Sequence, residues 1–476
     1  MIDINQDNKN KLRAHRDQLA EQRKYWLQKA HYYYNDQYRY FQFLVPEGSS
    51  VLVIGCDLGD LLSAIKPCYG VGIDLSPRMI TLARERHPEM TFYCMDAENF
   101  LIDKKFDVII LTDTAIGQLN DIQLVLEKMQ SCCHDRTKII INYFNYLWSP
   151  ILKAAERFGL KMPQSAQNWL TPGDITNLLY LAGYDIIKAE RRMLIPRSIP
   201  ILSSILNKFI ATLPGIRLLC LSIYLVAKPT HSVCHQKEFS TSVVIPCLNE
   251  KGHIEDAISR LPEFGSAQEI IFIDGHSTDG TQEEIQRIIQ ANPQKNIRFM
   301  VQDGKGKGDA VRKAFKSAVG DILMILDADL TVPPEDLPKF YRALVDGKGD
   351  FINGCRLIYT MEDHAMRSLN VLGNKFFASA FSWLLNQRIK DTLCGTKVLF
   401  KKDYDRIVAG RSYFGNFDPF GDFDLIFGAS KLNLKIVELP IKYRERSYGH
   451  TNISRFRHGW LLLKMTIFAF FKLKAL

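Results

Sequence analysis

Two aspartates separated by one residue follow an apolar run in the second half of the chain. Asp327 and Asp329 come directly after the segment from Ile322 to Leu326. At the end of a predicted strand, this spacing lets both carboxylates reach one hard cation such as Mg²⁺ or Mn²⁺. A cation held there neutralises a diphosphate, so the pair predicts a metal-assisted nucleotide site.

A basic, glycine-rich turn precedes this pair of acids. Lys305 and Lys307 lie in the sequence GKGKG, directly ahead of the predicted helix DAVRKAF. Lysines beside a helix N-terminus can donate hydrogen bonds to phosphate oxygens. Further upstream, Asp274 ends another apolar run and can accept from a base or a ribose group. Because the carboxyl ends of parallel strands bind ligands in open α/β sheets, these features predict one common site.

The first half of the chain holds a second candidate site. A turn containing Gly55, Asp57 and Gly59 follows the apolar segment VLVI, and Asp74 ends the next predicted strand. Glycines in such a turn let the backbone approach a cofactor, and an acid in the position of Asp74 can accept hydrogen bonds from ribose hydroxyls. Asp96, after the third predicted strand, extends the pattern.

The segments that position these residues alternate between strand and helix signals. Short apolar strands are predicted at Ser50–Ile54, Gly70–Ile73, Thr91–Cys94, Val108–Leu111, Lys138–Asn142, Tyr184–Ile187, Ser222–Ala227, Ser242–Pro246, Glu269–Ile273, Ile297–Gln302 and Ile322–Leu326. The alternation predicts the α/β class, with a doubly wound parallel sheet in the first half and an open sheet in the second. A polar stretch divides them, so we predict domains at 1–229 and 242–476, joined by a linker at 230–241.

Composition is that of a globular protein. The 476 residues carry a net charge of +9, with 46% hydrophobic and 24% charged residues, an excess too mild to indicate a nucleic-acid partner. Ten cysteines without a CxxC motif predict reduced thiols. Together with a polar N-terminus that does not resemble an export signal, they predict a cytoplasmic protein.

Two apolar stretches are candidates for contact with a membrane. The segment Trp460–Leu473 is shorter than the ~20 residues that a spanning helix needs, and it contains Lys464 and Lys472. The stretch Ile199–Ala227 is longer but is interrupted by polar and proline residues. Neither is predicted to span a bilayer. Location in a membrane surface and burial against the protein core both remain open for the two segments.

With these motifs, residues 30–229 resemble the class I S-adenosylmethionine-dependent methyltransferases, whose turn usually reads GxGxG. Gly55 and Gly59 match the first and last glycines of that turn. The resemblance implies an S-adenosylmethionine cofactor, with Asp74 as the ribose-binding acid and Asp96 beside the adenine. It also implies a Rossmann-like sheet.

The first half departs from that family at two positions. Val53 stands where the strand usually bears an acid, and Asp57 replaces the middle glycine. The charge of Asp57 can contact the cationic sulfonium or amino group of the cofactor. Active methyl transfer and a non-catalytic scaffold are therefore both open for this domain.

Residues 240–450 are similar to the family-2 glycosyltransferases of the GT-A fold. The predicted nucleotide-sugar residues are Pro246, Asn249, Glu250, Asp274, Lys305, Lys307 and Asp327. The resemblance assigns Asp327 and Asp329 to the metal and the diphosphate. It implies transfer of a sugar from a nucleotide-sugar donor, with inversion at the anomeric carbon.

Within that family the second half resembles the polyprenyl-phosphate glycosyltransferases, such as dolichol-phosphate mannose synthase. The supporting motifs are NGCR, ending at Arg356, DTLCGTK, beginning at Asp391, and the basic segment that follows Pro440. A phosphate acceptor is already ionised near neutral pH and needs only cations to hold it. Arg444, Arg446 and Arg455 are predicted to bind that phosphate, beside a basic, apolar C-terminal helix. The protein is then expected to be peripheral on the inner face of the membrane.

The alternative acceptor is a hydroxyl group, in surface polysaccharide or glycolipid synthesis. A hydroxyl must be deprotonated, so a carboxylate has to act as general base. Asp424 is the first candidate and Asp391 the second. The predicted catalytic residues are accordingly Asp327, Asp329, Asp424, Asp391 and Arg356.

Overall fold

The computed structural model describes residues 2–164, 168–230, 238–356, 368–413, 422–441 and 455–475. The chain forms two compact units. Unit 1 comprises Met1–Thr230 with Lys474–Leu476, and unit 2 comprises His231–Leu473.

Unit 1 is a seven-stranded sheet with helices on both faces. Its helices are α1 (Ile2–Lys29), α2 (His31–Leu44), α3 (Asp60–Ile65), α4 (Pro77–Arg86), α5 (Asp113–Ile116), α6 (Ile122–Met129), α7 (Ser149–Arg157), α8 (Pro172–Leu181) and α9 (Leu202–Lys208). Its strands are β1 (Ser50–Ile54), β2 (Tyr69–Asp74), β3 (Thr91–Cys94), β4 (Phe106–Leu111), β5 (Cys133–Phe144), β6 (Tyr184–Arg192) and β7 (Ser222–Pro229). The strand order is β3-β2-β1-β4-β5-β7-β6, and β7 is antiparallel to both of its neighbours.

The central strand β1 shows why this sequence forms a covered sheet. Val51 and Val53 pack into the core on one face of the sheet, and Leu52 and Ile54 pack into the core on the other. A parallel strand with helices on both faces needs apolar side chains at every position. The run VLVI meets that requirement and brings the turn at Gly55 to the carboxyl edge of the sheet.

Unit 2 is a second seven-stranded sheet. Its helices are α10 (Ile254–Ser259), α11 (Thr281–Ala291), α12 (Lys307–Ser317), α13 (Leu337–Val345), α14 (Ser368–Leu385), α15 (Lys401–Ala409), α16 (Asp422–Lys431) and α17 (Arg455–Leu473). Its strands are β8 (Thr241–Cys247), β9 (Gln268–Asp274), β10 (Asn296–Val301), β11 (Ile322–Ile325), β12 (Phe351–Cys355), β13 (Lys397–Phe400) and β14 (Ile436–Pro440). The strand order is β10-β9-β8-β11-β13-β12-β14, with β13 antiparallel to β11 and β12.

The prediction of an α/β protein with two domains is confirmed by these two sheets. The five strands predicted between Ser50 and Asn142 pair in parallel as expected, and β7 inserts antiparallel between β5 and β6. Strands β12, β13 and β14 were not predicted. They are four or five residues long and include polar or charged residues such as Asn353, Lys397 and Glu438, so they lack the apolar run that marked the other strands.

For the C-terminal helix α17, the sequence left open whether its apolar side chains are buried against the protein or exposed for a membrane surface, and the structure shows both. Leu462, Met465 and Ala469 are buried, whereas Trp460 and Ile467 on the same helix are more than half exposed. The helix packs against α14, where the rings of Trp383 and Phe470 stack, and it also presents apolar side chains to solvent. Among the described residues, no helix combines the length and the apolar character needed to cross a bilayer.

Candidate functional site

The carboxyl ends of three neighbouring strands form the candidate site of unit 2. Strand β8 pairs in parallel with β9 on one side and with β11 on the other. Asp274 ends β9, and Asp327 lies two residues beyond the end of β11. The register of the sheet thus brings two of the sequence-predicted acids to one edge.

Lys307, Asp327 and Gly395 meet at this edge. Lys307 begins α12, and its Nζ lies 2.5 Å from Oδ1 of Asp327. A Cβ atom on Gly395 would lie 1.9 Å from Oδ2 of Asp327 and 2.5 Å from Nζ of Lys307. A side chain at the glycine of the motif LCGTK would therefore force Asp327 and Lys307 to shift.

The second aspartate of the pair is held by its own turn. Oδ1 of Asp329 accepts hydrogen bonds from the backbone N–H of Thr331 at 3.2 Å and from its hydroxyl at 2.8 Å. No group of three or more His, Cys, Asp or Glu side chains suited to a metal occurs in the described part of the chain. Mg²⁺ is usually held by one or two carboxylates and completed by substrate phosphates and water. Asp327 and Asp329 therefore fit a divalent cation that arrives with a diphosphate.

Asp274 is fully buried, and only one of its two carboxylate oxygens accepts hydrogen bonds. Its Oδ2 accepts hydrogen bonds from the backbone N–H of Ser277 at 3.0 Å and from Nε2 of Gln282 at 2.6 Å. Its Oδ1 is buried without a hydrogen-bond partner. A buried carboxylate oxygen without a donor is costly, so it is a natural acceptor for an N–H or O–H of a bound ligand.

The other predicted nucleotide residues surround the end of β8. Pro246 is half-buried within the strand, and Asn249 is exposed with a left-handed backbone. Oδ1 of Asn249 accepts from the backbone N–H of Thr278 at 2.8 Å. Glu250 is buried and lies 2.9 Å from Nδ1 of the buried His253. Lys305 is exposed at the start of the basic turn.

Asp391 and Arg356 form a buried ion pair. The carboxylate of Asp391 accepts from Nε of Arg356 at 2.7 Å, from its Nη2 at 2.8 Å and from its backbone N–H at 3.0 Å. It also accepts from the backbone N–H of Leu393. With so many donors on one carboxylate, the geometry favours a role for Asp391 in orienting Arg356 over a role as general base.

Three further residues support this pair: Asn353 and Lys397, which belong to the motifs NGCR and DTLCGTK but had no predicted role, and Glu438, which was not predicted. The carboxylate of Glu438 accepts from the backbone N–H groups of Lys390 and Asp391, and Asn353 donates from Nδ2 to the carbonyl oxygen of Asp391. The buried Lys397 donates to Oδ1 of Asn353 at 3.0 Å. A polar or charged side chain inside each short strand was the only signal in the sequence, and it resembles that of a surface strand.

Asp424 is also engaged by an arginine. It lies in α16, is 8% exposed, and its Oδ2 lies 2.8 Å from both Nε and Nη2 of Arg411. Both candidate bases for a hydroxyl acceptor, Asp391 and Asp424, are therefore paired with a guanidinium group.

The structure does not describe the side chains of the three arginines predicted to bind the acceptor phosphate. Arg444 and Arg446 lie outside the described residues. Arg455 is the first residue of α17, and its side chain is also outside them.

In unit 1 the predicted cofactor acids are already paired with cations from α1. Nη2 of Arg16 lies 2.7 Å from Oδ2 of Asp74 and 3.1 Å from Oδ1 of Asp57. Arg23 holds the other oxygen of Asp57 at 2.6 Å.

The third cation extends the same arrangement. Nζ of Lys9 lies 2.5 Å from the carboxylate of Asp96 and 2.7 Å from that of Glu98. Lys9, Arg16 and Arg23 are spaced by seven residues, so they lie on one face of the helix. This heptad spacing of cations is the signal by which the sequence could have revealed the contact.

Burial and these ion pairs act in opposite directions on the acids. Burial raises the pKa of the Asp57 carboxyl, but the guanidinium groups of Arg23 and Arg16 outweigh it and hold that pKa below its ordinary value. At Asp74 burial outweighs Arg16, and the pKa is raised. Asp57 has a left-handed backbone with a φ of 52°, and the side chain that replaces glycine there points at α1.

A cavity of about 490 Å³, open to solvent, lies beside this network. Its lining includes Gly55, Asp74, Asp96 and Ala97. A Cβ atom on Gly55 would lie 2.6 Å from Ala115 and from Thr112, so only glycine fits the turn.

A second cavity of about 360 Å³ lies beside Asp57 and α2, lined in part by Tyr34, Tyr38 and Asp113. Asp113 is buried and accepts from the hydroxyl of Tyr33 at 3.0 Å, and burial raises its pKa. Unit 1 thus has a cavity beside each of the two paired acids Asp74 and Asp57.

Comparison with known proteins shows that each unit contains a segment matching a known domain family. Residues 242–407 match the model of the family Glycosyl transferase family 2, and residues 51–135 match the model Methyltransferase domain. The chain is 29% identical to glycosyltransferase AglJ of Haloferax volcanii over 222 residues, which are 46% of this chain and 68% of that protein. It is 38% identical to a dolichol-phosphate mannosyltransferase of Pyrococcus furiosus over 119 residues, 25% of this chain and 33% of that protein.

Among solved structures, a SAM-dependent methyltransferase of Thermotoga maritima is similar to the first half of the chain. It is 16% identical with a TM-score of 0.37, over 44% of this chain and 96% of that structure. The family models place the two relationships in the two units described above. The chain therefore carries a methyltransferase domain followed by a family-2 glycosyltransferase domain, and it is a transferase enzyme.

Proposed function

We propose that unit 2 transfers a sugar from a nucleotide-sugar to a lipid phosphate of the polyprenyl type. The observation that carries the proposal is the meeting of Lys307, Asp327 and Gly395 at the edge where β8, β9 and β11 end. An oxygen of the acceptor phosphate forms a bond to the anomeric carbon. The bond from that carbon to the donor diphosphate breaks, and the nucleoside diphosphate leaves with the electron pair. This single displacement inverts the anomeric centre.

The proposed donor site uses residues of the sheet edge. Asp274 accepts a hydrogen bond from the base or ribose with its unpartnered Oδ1, and Lys307 exchanges Asp327 for an oxygen of the diphosphate. Asp327 and Asp329 hold the divalent cation. When bound, that cation supplies positive charge to the departing diphosphate.

The pairing of both candidate bases favours a phosphate acceptor. A hydroxyl acceptor needs a carboxylate that can take up its proton, whereas Asp391 and Asp424 each accept hydrogen bonds from an arginine. A phosphate is ionised without help and needs only cations. Arg444, Arg446 and Arg455 are proposed as those cations on sequence grounds. Glycosylation of a hydroxyl remains the competing activity.

The acceptor assignment has a direct test. The full chain is incubated with radiolabelled nucleotide-sugars, polyprenyl phosphate and Mg²⁺ or Mn²⁺, and the products are extracted into organic solvent. We expect label in the organic layer, abolished in Asp327→Asn and Asp329→Asn and by chelation of the metal. Label that stays in water with a hydroxyl acceptor, or transfer that persists without divalent metal, would contradict the proposal.

A lipid acceptor implies that the reaction takes place at a membrane surface. The exposed apolar side chains of α17, Trp460 and Ile467 among them, support a peripheral location on the inner face of the membrane.

For unit 1 we propose S-adenosylmethionine as ligand. The residues present fit its parts: Asp74 and Asp96 line one cavity, and Asp57 with Arg23, beside the second, offers a carboxylate and a guanidinium to an amino-acid group. When bound, the cofactor supplies an electrophilic methyl group.

The contacts of α1 set a condition on that binding. Oδ2 of Asp74 accepts from Arg16, and the carboxylate of Asp96 accepts from Lys9, so the cofactor has to replace these cations. The same observation favours the second candidate role of unit 1, a non-catalytic scaffold whose acids serve to fasten α1. Titration of the full chain with S-adenosylmethionine in a calorimeter separates the two. Heat and a raised unfolding temperature are expected, and the absence of both would leave the scaffold.

A further inference from the structure

An apolar surface in unit 1 is formed by the segment between β6 and β7. Eight of its large apolar side chains are exposed, and six of them carry the argument: Ile201, Leu202, Ile205, Leu213, Leu218 and Leu219. Ile201 is 78% exposed and Leu219 is 57% exposed. We call these six side chains the 201–219 surface. Clustered exposed apolar residues on this scale mark a site of interaction rather than ordinary surface.

The inner side of the segment is firmly attached to the unit. Asn145 donates from Nδ2 to the carbonyl oxygens of Leu218 at 2.8 Å and Cys220 at 2.9 Å. Trp148 donates from Nε1 to the carbonyl oxygen of Leu219 at 2.8 Å. The backbone is thus held in place while the leucine side chains point outward.

The other end of the segment is held in the same way. Oδ1 of Asn207 accepts from the backbone N–H groups of Leu194 and Ile195, and its Nδ2 donates to the hydroxyl of Tyr32 at 3.1 Å. Ser203, beside the exposed Leu202, is 2% exposed. The 201–219 surface is therefore a built face of the domain and not the disordered side of a loop.

Charge identifies the occupant of this face. The sequence has no Asp or Glu from residue 191 to residue 237, and residues 193–220 contain three Lys or Arg. The exposed Arg197 precedes the apolar side chains, and Lys208 and Arg217 lie among them. An apolar face with basic residues and without acids matches the interface of a bilayer that contains anionic lipids.

We propose that the 201–219 surface inserts its apolar side chains into the interface of an anionic membrane, as a membrane contact of the methyltransferase domain itself. The inference deepens the proposed function, since an enzyme that uses a lipid phosphate must meet the bilayer. It adds a contact in unit 1 that the glycosyltransferase domain does not supply.

The test uses the full chain and vesicles without any nucleotide-sugar. Binding is measured by co-sedimentation with vesicles of phosphatidylcholine alone and of an equal mixture of phosphatidylcholine and phosphatidylglycerol. The double variant Ile201→Ser, Leu219→Ser is expected to bind the anionic vesicles about tenfold more weakly than the wild type. The matched control is Leu101→Ser with Tyr180→Ser, because both side chains are highly exposed in unit 1 outside this surface.

The outcomes separate this inference from the proposed function. Unfolding temperatures of the two double variants should equal that of the wild type, and transfer to a short polyprenyl phosphate in detergent should be unchanged. Equal vesicle binding by the Ile201→Ser, Leu219→Ser variant and the wild type would overturn the inference. So would a change from dimer to monomer in sedimentation with vesicle binding intact, which would make the surface a contact between copies. Absence of transfer in a wild type that binds vesicles through this surface would contradict the proposed function alone.

Discussion

Lys307 and Asp327 are joined by an ion pair of 2.5 Å across the edge of the second sheet. The pair places a cation on the first aspartate of the Asp-x-Asp motif, at the N-terminus of α12. A site that binds a metal and a diphosphate must redistribute this charge. Lys307 is therefore the residue whose partner should change when donor binds.

Replacement of Lys307 tests that role. We expect Lys307→Met to raise the KM for the nucleotide-sugar by ~10- to 100-fold, the range for loss of a hydrogen bond to a charged group. The matched control is Lys313→Met on the same helix, whose ion pair with Asp303 is on the surface. Steady-state kinetics at saturating acceptor measure both. A donor KM in Lys307→Met equal to that of the control would exclude a contact with the diphosphate.

Gly395 offers a test by geometry alone. In Gly395→Ala the new methyl group would overlap Oδ2 of Asp327, so the aspartate or the backbone has to shift. A displacement of about 1 Å at a reacting centre lowers turnover about 100-fold. Gly410→Ala is the control, since its added methyl would meet its nearest atom at 3.6 Å. Full turnover in Gly395→Ala would show that the position of Asp327 is not critical.

The two acceptor classes differ in what they require of Asp424. If the acceptor is a phosphate, Asp424→Asn should keep turnover within about tenfold and lose ~1–3 kcal/mol of stability, because its bond to Arg411 is weakened. A general base would instead cost about 100-fold or more in kcat. Turnover between pH 6 and pH 8 and thermal unfolding distinguish the two roles. The kinetic loss, together with disappearance of the acidic limb of the pH profile, where protonation of a carboxylate base lowers turnover, would assign Asp424 as the base.

Arg16 and the cofactor compete for Asp74 in our proposal. Arg16→Ala should bind S-adenosylmethionine about tenfold more tightly than the wild type, since one charge-assisted hydrogen bond no longer has to be broken. Without ligand the variant should be less stable, because a buried ion pair has lost one partner. Arg13→Ala, at an exposed position of the same helix, is the control. Calorimetric affinity measures the effect, and weaker binding in Arg16→Ala would mean that this arginine is itself a ligand.

Asp57 predicts a pH dependence of stability. Its pKa in the folded protein is lowered by Arg23 and Arg16 against the effect of burial, so the folded state binds fewer protons than the unfolded state near pH 4. The stabilisation is complete above the unfolded pKa and is lost as the pH falls through the folded pKa. Asp57→Asn should be about 3 kcal/mol less stable than the wild type at neutral pH, with a difference that shrinks towards pH 3. Thermal unfolding across this range measures it, and a constant difference would contradict the ion pair.

The sequence by itself determined the class of the fold and the identity of the strand-end acids. Apolar runs such as VLVI predict buried parallel strands, and the residue that follows such a run lies at the carboxyl edge where ligands bind. Gly55, Asp74, Asp274 and Asp327 could therefore be recognised from local pattern. The short strands β12, β13 and β14 could not, because their polar residues are satisfied by partners distant in the chain.

Only the tertiary structure decided what each acid contacts. Asp391 pairs with Arg356 across 35 residues, and Asp74 pairs with Arg16 across 58. Contacts between distant segments depend on how packed elements meet, and a single sequence does not reveal this. The same physics explains why the sequence left the stretch Ile199–Ala227 open between a membrane surface and the protein core. Whether an apolar side chain is buried depends on what packs over it, and in this fold nothing in the described part of the chain covers Ile201 or Leu219.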